Sequence, residues 1–385
     1  MGSLVFIRIM TFFRALIILA LPLGVGCAGK NTYKSLKANS DILQRGWTFQ
    51  TRQTALQAGN RGFEYSGIVA FENTLIFGSQ NMGLVSLYPS IQKVRWNFPV
   101  KGGVVSLPGV DKKDVLFAAG DGFLYALHAE TGKLNWKYEI KNTLASAPAF
   151  TGGRVIINTS DDVVYALDAG TGKYLWSYKR RSSVSTSVHA VSTPVIDSGT
   201  ALVGMSDGSI VALSVEEGRL LWEQKIGTQS KFTDVDASPV ISQDFIIVPS
   251  YDGALYALKR KSGDILWKYD AGGADKVLIE EGTIYLPSSD GFVHALKIES
   301  GKLLWKFELD KGVPTSIHSD GKLLYFGSSY QYLYAIQKTD GKPVYRFNVG
   351  DGSGFSSQPL WLKDKKELYL LSMAGNLYQF VSKSK

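Results

Sequence analysis

The side chains with most chemical reach in this chain are few and widely spaced. Its four histidines, His128, His189, His294 and His318, share no close ligand spacing with one another or with the cysteine, so no metal site is expected. His128 and His294 fall inside repeated strand patterns, where a surface or packing role outweighs coordination. The glycine-rich run Asp351-Gly352-Ser353-Gly354 has no helix pattern behind it and is not expected to cradle phosphate. Asp234 and Asp236, in Phe232-Thr233-Asp234-Val235-Asp236-Ala237-Ser238-Pro239, make a closer acidic pair. At a turn such a pair can cap backbone, hold calcium loosely, or meet a cationic partner. No catalytic residue is assigned, and no cofactor is expected.

Cys27 is the single cysteine, so no intrachain disulfide can form. It follows Arg8, Arg14, the apolar run Ala15 to Leu21 and a small-residue stretch. That is the layout of a secretory signal, with an apolar run too short to span a bilayer comfortably. Residues 1–26 are therefore expected to be a signal peptide. Leu23-Gly24-Val25-Gly26-Cys27 resembles a bacterial lipobox with its usual leucine one place too far upstream, and Ala28 resembles the outer-membrane sorting pattern. Cys27 is expected to carry lipid, the alternatives being an uncleaved anchor or an unmodified thiol. Residues 27–44 are polar and read as a tether, and residues 45–385 as the folded body.

The formal charge is +8, and loss of Arg8 and Arg14 leaves 8 minus 2, or +6. The basic residues are spread through the body, which favours solvated strand faces over a nucleic-acid surface.

A repeat positions everything else. Leu127 and Trp136 stand nine residues apart, as do Leu167 and Trp176, Leu213 and Trp222, Leu258 and Trp267, and Leu296 and Trp305. Leu87 with Trp96 and Ile336 with Tyr345 are weaker copies. The strand that carries the leucine begins at Leu84, Leu124, Val164, Ile210, Leu255, Val293, Leu333 and Leu377, with separations of 40, 40, 46, 45, 38, 40 and 44 residues. Each unit also holds two earlier strands, such as Ala147 to Phe150 and Arg154 to Asn158. Four antiparallel strands in about 40 residues is the size of a propeller blade. The expected class is all-β, an eight-bladed β-propeller. The eighth unit would place its fourth-strand aromatic at position 389, past Lys385. Gly46-Trp47-Thr48-Phe49-Gln50 has the right character to supply that strand and close the ring. Trp47, Trp96, Trp136, Trp176, Trp222, Trp267, Trp305 and Tyr345 are then expected to dock one blade on the next.

Leu-Tyr-Ala-Leu-x-x-x-(Thr/Ser)-Gly-x-x-Leu-Trp, best kept at 124–136, 164–176 and 255–267, resembles the tryptophan-docking repeat of quinoprotein propellers. That resemblance implies one of two functions. One branch comprises dehydrogenases that use pyrroloquinoline quinone (PQQ) and calcium, with the quinone beside a disulfide of adjacent cysteines. No Cys-Cys pair exists here. The other is the non-catalytic BamB family of lipoproteins in the outer-membrane β-barrel assembly machinery, which this chain resembles more in size and in its lipidation signal. Membership would imply a scaffold on the periplasmic face of the outer membrane, held by lipid and docked on periplasmic domains of a BamA-like protein. Unfolded outer-membrane proteins would be clients. The Asp-Val-Asp segment resembles a BamA-contacting loop, which implies that role for Asp234 and Asp236. A second such loop corresponds to Ser187-Val188-His189-Ala190-Val191, with Val188 and Val191 as apolar contacts and His189 where that loop has arginine. A propeller binding an unrelated envelope ligand remains an alternative.

Spacing alone points to the same loops. Trp176 to Pro194 spans 18 residues and Trp222 to Pro239 spans 17, against 12 from Trp136 to Pro148. Two enlarged connections in neighbouring blades should emerge side by side.

Overall fold

The computed structural model describes residues 42–51, 64, 66–141, 146–179, 191–227, 235–273, 275–350 and 353–383. Alternation along the leucine-bearing strands decides the architecture. In Phe123–His128, Leu124 and Ala126 pack with Val155, Ile157 and Leu167 of the following unit. Tyr125 and Leu127 point the other way, into a cluster with Ile76 and Leu84 of the preceding unit. Successive side chains of a strand leave on opposite faces, so a strand apolar on both faces must be covered on both. Neighbouring sheets supply the cover, and the repeat becomes a stack of sheets bent into a ring.

Eight four-stranded antiparallel sheets result. We number them as blades I to VIII, starting with the blade that opens at Ile68–Phe71. In blades I to VII four consecutive strands pair in chain order. Blade VIII takes Leu360–Leu362, Glu367–Leu371 and Asn376–Ser382 from the end of the chain, and its outer strand is Leu43–Gln50. The expected closure by the Trp47 segment is therefore observed. The first strand of blade I also lies against those of blades II and VIII, which completes the circle. Among the described residues the helical content is a short turn over Lys363–Lys365.

The topology gives the ring two distinct ends. Turns between first and second strands and between third and fourth strands lie at one end, the paired-turn end. Turns between second and third strands, and the connections between blades, lie at the other, the loop end. Leu43 pairs with Ser382, so the closing strand enters at the paired-turn end and runs toward the loop end.

Candidate functional site

The fourth-strand aromatics contact the neighbouring blades. Six of the fourth-strand tryptophans, Trp96, Trp136, Trp176, Trp222, Trp267 and Trp305, lie on the turn glycine of the next blade. An added Cβ at Gly132, Gly172, Gly218, Gly263, Gly301 or Gly341 would fall 2.4–2.7 Å from ring atoms of Trp96, Trp136, Trp176, Trp222, Trp267 or Trp305 respectively. These glycines hold φ between 64° and 77°, which side-chain-bearing residues resist, so one residue type satisfies both demands. The indole N–H of Trp96, Trp136, Trp176 and Trp267 donates to the carbonyls of Ala129, Ala169, Val215 and Ile298 at 2.9–3.0 Å. Trp47 leans on Tyr369 with ring centres 5.8 Å apart. Tyr345 stands fully buried between blades VII and VIII, and burial raises its hydroxyl well above the ordinary tyrosine range. Trp361, outside the repeat series, stacks on Tyr325 at 5.5 Å and on His318 at 6.0 Å.

The two enlarged connections meet at the loop end. Ser192 Oγ donates to the carbonyl of Ala237 at 3.3 Å, and the Thr193 N–H donates to Ser238 Oγ at 3.1 Å. The ends of the III–IV and IV–V connections are thus joined. Val191 and Asp236 line one narrow crevice with Ser192, Asp162, Ser206 and Val235. Its floor is fixed by blade-to-blade bonds: Asp162 accepts from the Ser206 N–H at 2.9 Å and from Ser206 Oγ at 2.5 Å. Val191 is half-buried, whereas Asp236 is only 5% exposed, set beneath the surface beside buried Val235. Cys27, Val188, His189 and Asp234 lie outside the described residues, as do Asp351 and Gly352 of the glycine-rich run.

A device missed by the repeat search holds the III–IV connection and several others in place. Ser66, Ser106, Ser146, Ser192 and Thr315 each accept, through the side-chain oxygen, the backbone N–H twelve residues later, at 2.9–3.2 Å. The sequence carries its trace as Ser-x-Pro at 106–108, 146–148 and 192–194. In the V–VI connection at the same end, burial pushes the Asp275 carboxyl up to about 6, against a hydrogen bond from Ser316 Oγ at 3.1 Å that favours the carboxylate. Burial also pushes Lys276 down, opposed by Asp275.

Among the described residues no three His, Cys, Asp or Glu side chains converge as a metal site. His294 bridges Tyr269 at 3.1 Å and Asp290 at 3.0 Å. It stands where blades II and V have Tyr125 and Tyr256, whose hydroxyls donate to Asp121 and Asp252 at 2.7 and 2.8 Å. His294 therefore fills a repeat position.

The sequence profile of a family described as outer membrane protein assembly factor BamB matches residues 93–307 and 289–383. The chain belongs to the BamB family. Its architecture agrees with that of BamB from Moraxella catarrhalis, which has a TM-score of 0.74 and 20% identity, over 88% of this chain and 100% of the other. The same fold recurs in the quinohemoprotein alcohol dehydrogenase of Comamonas testosteroni (TM-score 0.74, 16% identity, 90% of this chain and 77% of that one). It recurs too in a europium-containing methanol dehydrogenase (TM-score 0.71, 14% identity, 89% and 94%). No curated protein sequence matches this BamB-family chain.

Proposed function

We propose that this BamB-family propeller is a non-catalytic scaffold lipoprotein of the outer-membrane β-barrel assembly machinery. Lipid on Cys27, after removal of residues 1–26, holds it at the periplasmic face of the outer membrane and raises its effective concentration near a membrane-embedded partner. The III–IV and IV–V connections dock on the periplasmic domains of a BamA-like protein. Val188, Val191 and His189 meet it from the first connection and Asp234 from the second. Asp236, being buried, fixes the base on which Asp234 is presented. Extended segments of unfolded barrel proteins are the clients. The observation that carries this reading is the hydrogen-bonded junction of the two enlarged connections, in a chain whose family is named for outer-membrane protein assembly.

The test is co-purification from detergent-solubilised membranes. Asp234→Lys with Val188→Asp is expected to lower recovery of the BamA-like protein about tenfold, the scale of removing a few central contacts. Unchanged recovery from a folded variant rejects the docking site.

The fold shared with quinohemoprotein dehydrogenases favours a quinone-dependent oxidoreductase as the second reading. With Cys27 the single cysteine, the adjacent-cysteine disulfide associated with that branch cannot form in this chain. Cofactor absorbance and dye reduction after adding PQQ and calcium to pure protein would support that reading over the first.

A further inference from the structure

In blades III to VI the fourth strand opens with two adjacent apolar residues, Tyr174-Leu175, Leu220-Leu221, Ile265-Leu266 and Leu303-Leu304, and all eight are 37–51% exposed. A bulge accompanies this on the outer edge strand. In each blade the strand pairing skips the second residue of the pair, so that Tyr174 pairs with Leu167 and Trp176 with Ala166 while Leu175 faces no strand partner. Exposed Lys173, Arg219 and Lys302 immediately precede three of the four pairs and exposed Asp264 the fourth, and the same turns carry exposed Glu216, Glu217 and Glu299, so charges of both signs rim the arc.

Two relationships say what covers this surface. Equivalent positions of successive blades stand at one height on the ring, so the four pairs lie along an arc in a single plane, at the paired-turn end. A bilayer surface is a plane and meets all four pairs together. The chain preceding Leu43 leaves from that same end, because Leu43 lies beside Ser382. Cys27 is sixteen residues before Leu43, within about 55 Å even when fully extended. Apolar side chains rimmed by charged ones suit the boundary between acyl chains and headgroups.

We infer that the apolar arc at the paired-turn end rests on the membrane surface, which turns the two joined connections at the loop end away from the bilayer. This rests on the lipid anchor proposed above, and the two can fail separately.

The experiment uses the mature chain with Cys27→Ser, so that no lipid contributes, and vesicles of phosphatidylethanolamine with phosphatidylglycerol. An environment-sensitive dye on a single cysteine at Leu266 should shift to the blue when vesicles are added, and the same dye at Tyr330, at the loop end, should not. Leu175→Glu, Leu221→Glu, Leu266→Glu and Leu304→Glu together should lower partitioning about tenfold or more, as charges replace buried apolar contacts. Asn81→Glu with Tyr330→Glu should leave it unchanged. These surface positions leave the fold intact, to be confirmed by an unaltered melting curve. Equal partitioning of the four-site variant, or a dye shift at Tyr330 in place of Leu266, overturns the inference. Self-association in sedimentation that the four glutamates abolish, without any dye shift on vesicles, also overturns it and makes a second copy the occupant. Loss of lipid from the full-length protein with vesicle partitioning retained would instead fault the anchor alone.

Discussion

Leu43 stands directly opposite Ser382, so the first described strand of the chain is the outer edge of its last blade. Leu43 is 1% exposed and packs with Tyr345 and Phe380, which makes the seam of the ring an apolar contact as well as a ladder of hydrogen bonds. Leu43→Ala should cost about 2–5 kcal/mol in chemical denaturation, the range for truncating a fully buried leucine. Deleting residues 42–50 should cost more and leave Asn376–Ser382 as an unpaired edge, visible as concentration-dependent aggregation. A deletion variant as stable and monomeric as the parent would mean that the ring closes by other contacts.

Trp136 and Gly172 show why the repeat keeps glycine at its turn. Gly172→Ala meets two penalties, a φ of 69° and a Cβ 2.5 Å from the indole. Gly153, at φ 78° with nothing within 4 Å of a Cβ, carries the first penalty alone. Gly153→Ala should cost about 1 kcal/mol and Gly172→Ala at least about twice that, since the ring must also shift. Equal losses in urea melts would remove packing as the reason for the glycine.

The fold was legible because a propeller repeats one local solution, and a fixed Leu-to-Trp offset survives every change of surface residue. Closure followed from arithmetic, since an eighth unit without its outer strand needs one from elsewhere. The site was less legible. Asp236 looks like a surface carboxylate in the sequence, yet Val235 beside it is drawn into the blade IV–V core and carries Asp236 under the surface. Residue spacing reports which connections are long and says little about which side chains of a connection turn inward. Arg260 and Lys338 were missed for a related reason. They stand where other blades carry Ala129, Ala169 or Val215, and only tertiary structure shows them reaching back to the preceding blade. Arg260 meets Asp197 at 2.5 and 2.6 Å, and Lys338 meets Glu280 at 2.9 Å.

His294 makes one blade contact sensitive to acid. Burial holds its imidazole below the ordinary histidine range, against the opposing pull of Asp290. A base whose folded pKa is lowered binds protons more readily when unfolded, so its contribution is intact above the unfolded value, near 6.5, and is lost as pH falls below it. His294→Tyr would rebuild the hydroxyl-to-aspartate bond seen at Tyr125 and Tyr256, with a group that stays neutral throughout this range. The variant should melt near the parent at pH 7 and lose less stability between pH 7 and pH 5. Parallel pH profiles would show that this histidine does not titrate against the fold.

Asp275 has the opposite sign. Its carboxyl is raised from 3.8 to about 6 by burial, and the Ser316 hydrogen bond only partly restores the carboxylate. Between these two values the folded chain holds a proton that the unfolded chain has released, so stability falls as pH rises through that window and stays lowered at pH 7. Asp275→Asn keeps an acceptor for Ser316 and has no charge to desolvate. It should therefore raise stability at pH 7 by about 1–3 kcal/mol, the equivalent of up to two pKa units, and change little at pH 4, where the native carboxyl is already neutral. Urea denaturation at both pH values checks this. A gain at pH 4 as large as at pH 7 would place the benefit in packing, and no gain at either would mean that the charge of Asp275 is well solvated in the folded ring.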